Sequence, residues 1–124
     1  MKKDPRVYLA QILERVERIL SFTGEGKGAF LASPLLQDAV IRNLEVIGEA
    51  AKRVPDEFRG THPSIPWKGL AALRDVLIHQ YEGVNLEEVW RIVENELPAL
   101  QRAISSLLPP LERLERELGD DDDR

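Results

Sequence analysis

The chain has 124 residues, of which 43% are hydrophobic and 31% charged, and its formal net charge is −5. This length and composition indicate one globular domain, which we place at residues 1–119, followed by an acidic disordered tail at 120–124. The net charge argues against a globally basic nucleic-acid binder. A local basic site stays open, because the middle third contains Lys52, Arg53, Arg59, Lys68 and Arg74.

The chain has no cysteine, which excludes disulfide and thiolate chemistry. It has no apolar run approaching 18 residues, so we expect no transmembrane helix. Its basic start resembles that of a signal peptide, but charged residues between positions 14 and 18 interrupt the apolar region that secretion requires. We therefore expect a cytoplasmic protein.

Helical periodicity dominates the first half of the chain, where apolar residues recur at spacings of three and four. A first helix is predicted over about 4–22, with an Asp-Pro start that favours helix initiation. The glycine-rich segment at 23–28 is predicted to be a flexible loop, because it lacks the Gly-Lys-Ser/Thr ending of a phosphate-binding loop. A second, broadly apolar helix is predicted from Ser33 to about Val54 and should be central to the fold.

The second half continues the helical pattern. A proline-rich connector with one short helical turn is predicted at 54–67. The third helix should extend over about 66–81, and Asn85 should cap the fourth. Pro98 lies within the apolar seam of the fourth helix and should kink or split it. With a last short helix at about 110–118 and no strand pattern, the sequence predicts an all-α, up-and-down bundle of four to five helices.

One polar residue, Asn43, interrupts the apolar seam of the second helix. A buried amide must find hydrogen-bond partners or cost stability. Asn43 is therefore either a polar contact that sets the register between helices or a support for a nearby active site, and the sequence leaves both open.

The stretch RDVLIHQY, residues 74–81, concentrates polar and titratable groups in the third helix. At about 100° per residue, one side of this helix carries leucines and valine that should face the core. The opposite side combines Arg74, Asp75, His79 and Tyr81 with Trp67 and Ile78. A face that mixes large apolar residues with titratable groups indicates a contact surface or a cleft wall.

The residue types in this stretch suit phosphate chemistry. Arg74 stays protonated and can clamp a phosphate or stabilise a transition state. His79 is a natural general acid and base, and Asp75, four residues earlier, can orient its ring. These groups suit RNA cleavage, where the 2′-hydroxyl is a built-in nucleophile. The same residues also fit an exposed ion pair, a helix-end histidine and an interface tyrosine, and the short pattern alone does not decide between the two. No histidine spacing indicates a metal site, so we expect neither metal nor cofactor.

Four co-linear stretches resemble the HepT-like branch of the HEPN superfamily. They are DPRVYLAQILERVERIL at 4–20, QDAVIRNLEVIGEAAKRVP at 37–55, IPWKGLAALRDVLIHQYEGVN at 65–85 and LEEVWRIVENELPAL at 86–100. The resemblance covers about residues 4–105, and RDVLIHQY fits the family's R-x4-H-x-Y motif without departure.

The resemblance implies an all-helical homodimer that acts as a metal-independent endoribonuclease, the toxin of a type VII-like toxin–antitoxin module. Arg74 and His79 would be catalytic and Asp75 supporting, and two copies of the motif would meet in one cleft at the dimer interface. The partner would be a minimal nucleotidyltransferase antitoxin that adenylylates Tyr81 and silences the nuclease; no membrane is involved. The alternative is a non-catalytic helical subunit that presents substrate or nucleotide to the nucleotidyltransferase.

Overall fold

The computed structural model describes residues 4–78 and 85–108 together with Arg113 and Arg116, and for residues 74–76 and 78 it describes the backbone alone. This part of the chain contains seven helices and no strand, which confirms the all-α class. The helices are α1 (Pro5–Phe22), α2 (Lys27–Ala32), α3 (Pro34–Arg53), α4 (Asp56–Thr61), α5 (Trp67–Ile78), α6 (Leu86–Asn95) and α7 (Leu97–Leu107). None of them combines the length and apolarity needed to cross a membrane.

Short polar side chains begin three of the helices, as the sequence predicted for each. Asp4, Ser33 and Asn85 are the N-caps of α1, α3 and α6, and each accepts a hydrogen bond of 2.9–3.2 Å from a backbone N–H two or three residues later. Proline follows the cap in α1 and α3. These contacts satisfy donors that a helix start otherwise leaves without partners, so local sequence is sufficient to fix these boundaries.

Two segments are more helical than expected. The predicted loop at 23–28 ends at Gly26, whose φ of 95° requires glycine, and the next residues form α2. This helix is too short to show periodicity, and its one buried residue, Phe30, is fully inaccessible. The connector at 54–67 contains α4, a little more than the single turn predicted. The predicted fourth helix is divided at Glu96 into α6 and α7, with Pro98 in the first turn of α7.

Helix α3 lies at the centre of the bundle, as its broad apolar surface predicted, and packs against α1, α5 and α2. Helix α7 packs against α1 and α6, and α2 connects α6 to α3. The ring centroids of Phe30 on α2 and Trp90 on α6 are 5.6 Å apart, so α2 closes the core on this side. The largest fully buried side chains come mainly from α1 and α3; those two helices contribute Leu9, Ile12, Val16, Ile19, Val40, Leu44 and Ile47.

Candidate active site

Helix α5 carries the first two polar residues of the RDVLIHQY stretch. Its buried stripe is Leu70, Leu73 and Leu77, which face the core against α3. The backbone positions of Arg74 and Asp75 follow Leu73 directly and lie off this stripe in the helix register. The packing of three leucines therefore sets the rotation of α5 about its axis, and with it the side of the helix on which the backbone positions of Arg74 and Asp75 lie.

The remaining members of the predicted site lie outside the described residues. His79 and Tyr81 both fall in the segment 79–84, and only the backbone is described at Arg74, Asp75 and Ile78. The structure thus places the start of the motif at the C-terminal end of α5. The catalytic roles, the Asp75–His79 contact and the interface role of Ile78 stay predictions.

Trp67, on the side of α5 that was predicted to be a contact surface or a cleft wall, is packed against other parts of the same chain. It is 8% exposed, and its Nε1 donates a hydrogen bond of 2.9 Å to the carbonyl oxygen of His62. Its ring meets Phe58 of α4 edge to face, at a centroid distance of 6.4 Å. A wheel considers α5 alone, whereas α4 and the connector cover the first turn of α5 and enclose the indole.

The connector histidine, His62, has structural contacts of its own. Its ring stacks on Phe58 at 4.1 Å, and its Nδ1 lies 2.9 Å from the carbonyl oxygen of the same residue. The Thr61 hydroxyl oxygen also lies 2.9 Å from Nδ1, so the tautomer of the ring decides whether Nδ1 donates to the carbonyl oxygen or accepts from the hydroxyl. Among the described residues no group of three His, Asp or Glu side chains could hold a metal ion. Whether the complete motif works without metal stays a prediction.

Arg59 also has a structural role, which removes it from the five basic residues that suggested a local basic site. Its Nε donates to the carbonyl oxygen of Val54 at 2.9 Å, and its Nη2 donates to that of Ala51 at 2.7 Å. These bonds satisfy carbonyl groups at the C-terminal end of α3 and place a positive charge at the negative end of that helix. Arg53 and Lys68, in contrast, are exposed.

Asn43 has partners on two helices. It is 6% exposed, and its Nδ2 donates to the carbonyl oxygen of Ala39 at 2.7 Å, one turn back in α3. Its Oδ1 accepts a hydrogen bond of 3.3 Å from Nη1 of Arg15 in α1. The amide therefore links α1 to α3, the polar contact between helices that was one of its two predicted roles. Arg15 was not predicted as this partner, although it lies beside the buried Ile12–Val16–Ile19 stripe of α1, where a partner for a polar seam residue is expected.

Comparison with known proteins agrees with the resemblance to HepT-like proteins. The family described as "Ribonuclease HepT-like" matches residues 12–107, which include α3, the whole of α5 and the RDVLIHQY stretch. No solved structure gives a significant match.

Several curated proteins align with most of this chain. "Putative RNase MJ0127" of Methanocaldococcus jannaschii is 46% identical over 90% of this chain and 93% of its own length. "Probable ribonuclease HepT" of Thermococcus cleftensis is 43% identical over 86% of this chain and 98% of its own length. "Gamma-glutamylcyclotransferase and putative RNase MJ0434" of M. jannaschii is 43% identical over 91% of this chain but only 51% of its own length. With this fold, this motif and these relatives, the chain belongs to the HepT-like ribonuclease family.

Proposed function

We propose that this chain is a metal-independent endoribonuclease that acts in the cytoplasm as the toxin of a type VII-like toxin–antitoxin module. The observation that carries the proposal is the intact Arg74-x4-His79-x-Tyr81 motif, which begins in the last turns of α5, in a chain of a ribonuclease family. The names of the relatives, each an RNase or ribonuclease, support the same reaction class.

The proposed reaction needs only the RNA and these side chains. His79 accepts the proton of a ribose 2′-hydroxyl, and the resulting oxygen attacks the adjacent phosphorus. Arg74 binds the non-bridging phosphate oxygens, where negative charge increases in the transition state. The P–O5′ bond breaks, the 5′-oxygen takes up the proton that His79 has accepted, and the other product ends in a 2′,3′-cyclic phosphate. Asp75 orients the imidazole from one helical turn away.

We further propose that two protomers form the active cleft together. A bundle of this size has little interior space for a deep pocket, and a two-fold axis beside α5 would bring two motifs together. Ile78, between Arg74 and His79 in sequence, would then be buried between protomers rather than exposed to water.

Tyr81 is the proposed site of regulation. It is seven residues, about two helical turns, after Arg74, so a continuing helix would bring its hydroxyl to the same side. Transfer of AMP from ATP to this hydroxyl by a nucleotidyltransferase antitoxin forms an O–P bond and releases pyrophosphate. The added phosphate would compete with RNA for Arg74 and close the cleft.

The deciding experiment measures RNA cleavage by the purified chain with EDTA present. The wild-type protein should cleave RNA and leave 2′,3′-cyclic phosphate ends, whereas Arg74→Ala and His79→Ala should be folded but inactive. Asp75→Asn should still cleave RNA, at a lower rate than wild type. Arg18→Ala is the matched control, because Arg18 pairs with Glu14 on the surface of α1 and should keep full activity. Cleavage that survives His79→Ala but stops with EDTA would refute the mechanism. A chain that never cleaves RNA but binds its nucleotidyltransferase would favour the non-catalytic subunit.

The regulatory proposal has its own measurement. After incubation with the antitoxin and ATP, intact-mass spectrometry should show the addition of AMP at Tyr81 together with loss of cleavage. Tyr81→Phe should cleave RNA and resist this silencing. If Tyr81→Phe is modified and inactivated as wild type is, the proposed site of regulation is wrong.

A further inference from the structure

Arg15 on α1 is held by a buried neutral side chain. The Asn43 carboxamide that accepts from its Nη1 is 6% exposed and is itself fixed by the 2.7 Å bond to the Ala39 carbonyl oxygen. Asn43 therefore cannot turn away without losing a hydrogen bond in the core. The result is a half-buried guanidinium whose position is set by the α1–α3 packing rather than by solvent.

Among the described residues, no carboxylate forms a salt bridge with Arg15. Within the described ranges, the salt bridges of α1 join Arg6 to Asp4 and Arg18 to Glu14, and none includes Arg15. A guanidinium has five N–H donors in a planar fork, and one of them is used on Asn43. Because a half-buried cation is normally paired, this arrangement suits an external anion with several acceptor oxygens.

The packing of the bundle puts Arg15 near the level of the last described turn of α5. Helices α3 and α5 pack together. Helix α4 holds the end of α3 beside the start of α5, because Arg59 bonds the carbonyl oxygens of Ala51 and Val54 while Phe58 meets the Trp67 ring. The two helices are therefore antiparallel neighbours. Ile78 is 11 residues after the start of α5, and residue 42 is 11 residues before the end of α3. Asn43 is therefore about level with the last described turn of α5. Helix axes pack roughly 8–10 Å apart, so Arg15, one helix further, lies within a few nucleotides' reach of the last described turn of α5.

We propose that Arg15 binds a backbone phosphate of the RNA substrate, a few nucleotides from the phosphate that is cleaved, and that Asn43 is the residue that positions it. The inference rests on the proposed ribonuclease function and extends it, because it adds a second phosphate contact on a different helix. A planar guanidinium with free N–H groups binds two phosphate oxygens at once, and the backbone phosphate is present in any RNA sequence. Arg15 therefore contributes affinity without sequence preference.

The test is the binding of a short single-stranded RNA that carries one 2′-deoxynucleotide at the cleavage position, so that it cannot react. Fluorescence anisotropy gives its dissociation constant at several salt concentrations. Arg15→Gln should weaken binding roughly tenfold, as the loss of one charge-assisted contact predicts. It should also reduce the slope of log affinity against log salt by about 0.7, the value for one phosphate on a single strand. With cleavable RNA the same variant should raise KM and leave kcat nearly unchanged.

Arg18→Gln is the matched control, since it removes the same charge from the same helix at a side chain already paired with Glu14. It should change neither the dissociation constant nor the salt slope. Arg15→Lys keeps the charge and should restore most of the slope, which separates loss of a phosphate contact from damage to α1. Thermal melting of each variant checks that the bundle is folded.

Asn43→Ala tests the positioning role. It should raise the dissociation constant in the same direction as Arg15→Gln, and the double variant should be no weaker than Arg15→Gln alone, because the two residues act through one contact. If Arg15→Gln binds RNA like Arg18→Gln while Arg74→Ala abolishes cleavage, this inference is overturned and the proposed function stands. If Arg74→Ala still cleaves RNA, the proposed function fails, whereas the salt slope of Arg15→Gln still reports on Arg15.

Discussion

Arg59 gives a prediction whose size can be worked from the structure. Substitution by glutamine removes both hydrogen bonds that end α3, the 2.9 Å bond to the Val54 carbonyl oxygen and the 2.7 Å bond to that of Ala51. A hydrogen bond from a charged donor contributes about 1.5–3 kcal/mol, but the arginine side chain is 25% exposed and loses rotamer entropy on binding. We therefore expect the free energy of unfolding to fall by about 1–3 kcal/mol, a drop of roughly 4–12 °C in Tm for a domain of this size.

The assay is urea denaturation at one fixed protein concentration, because association would otherwise shift the midpoint. Arg53→Gln is the control; Arg53 is exposed six residues earlier, and its loss should cost less than about 0.5 kcal/mol. Arg59→Lys should recover only part of the loss, since an ammonium lacks the planar fork that reaches two carbonyls. An Arg59→Gln protein as stable as Arg53→Gln would refute the structural role. If that protein were also defective in RNA binding, Arg59 would belong to a basic surface after all.

Three further predictions concern the core, the start of α1 and the interface. Phe30→Ala should lower the free energy of unfolding by about 3–5 kcal/mol in the same urea assay, because it leaves a cavity at a fully buried position against Trp90. A loss below about 1 kcal/mol would mean that α2 is not part of the core. The side-chain hydrogen bond from Arg6 lowers the pKa of Asp4 below its usual 3.8. The ionised carboxylate therefore stabilises the fold above pH 3.8, and this stabilisation is lost as the pH falls through the lowered folded-state pKa. Asp4→Ala should accordingly cost about 1 kcal/mol at pH 7. The urea midpoints of the two proteins should approach each other as the pH falls below 3.8 and converge only below the lowered folded-state pKa; a gap that stays constant as the pH falls would contradict this account. Ile78→Asp should convert the proposed dimer to monomer in light scattering, whereas a wild-type monomer at micromolar concentration would rule out the shared cleft.

Features encoded within one or two helical turns were predictable from the sequence alone. The polar caps, the prolines that follow them and the apolar spacing specify where α1 and α3 begin, since these signals act between residues at most four apart. The division of the helix near Pro98 was predictable because proline has no backbone N–H to donate to a carbonyl of the preceding turn. The motif from Arg74 to Tyr81 can also be read in the sequence, but the resemblance to the HepT-like family, and not the short pattern alone, indicated its role.

The roles of individual side chains in contacts between helices were decided only by the tertiary structure. Trp67, placed by the wheel on the motif face, is enclosed by α4, and Arg59, one of several basic residues in the sequence, ends α3. Asn43 was recognised as a polar residue in need of a partner, but that partner, Arg15, is 28 positions away in the chain. Periodicity predicts which face of a helix is buried. Which residue of another helix contacts that face depends on the crossing angle and the register of the two helices. The crossing angle and the register are set by packing of the whole core.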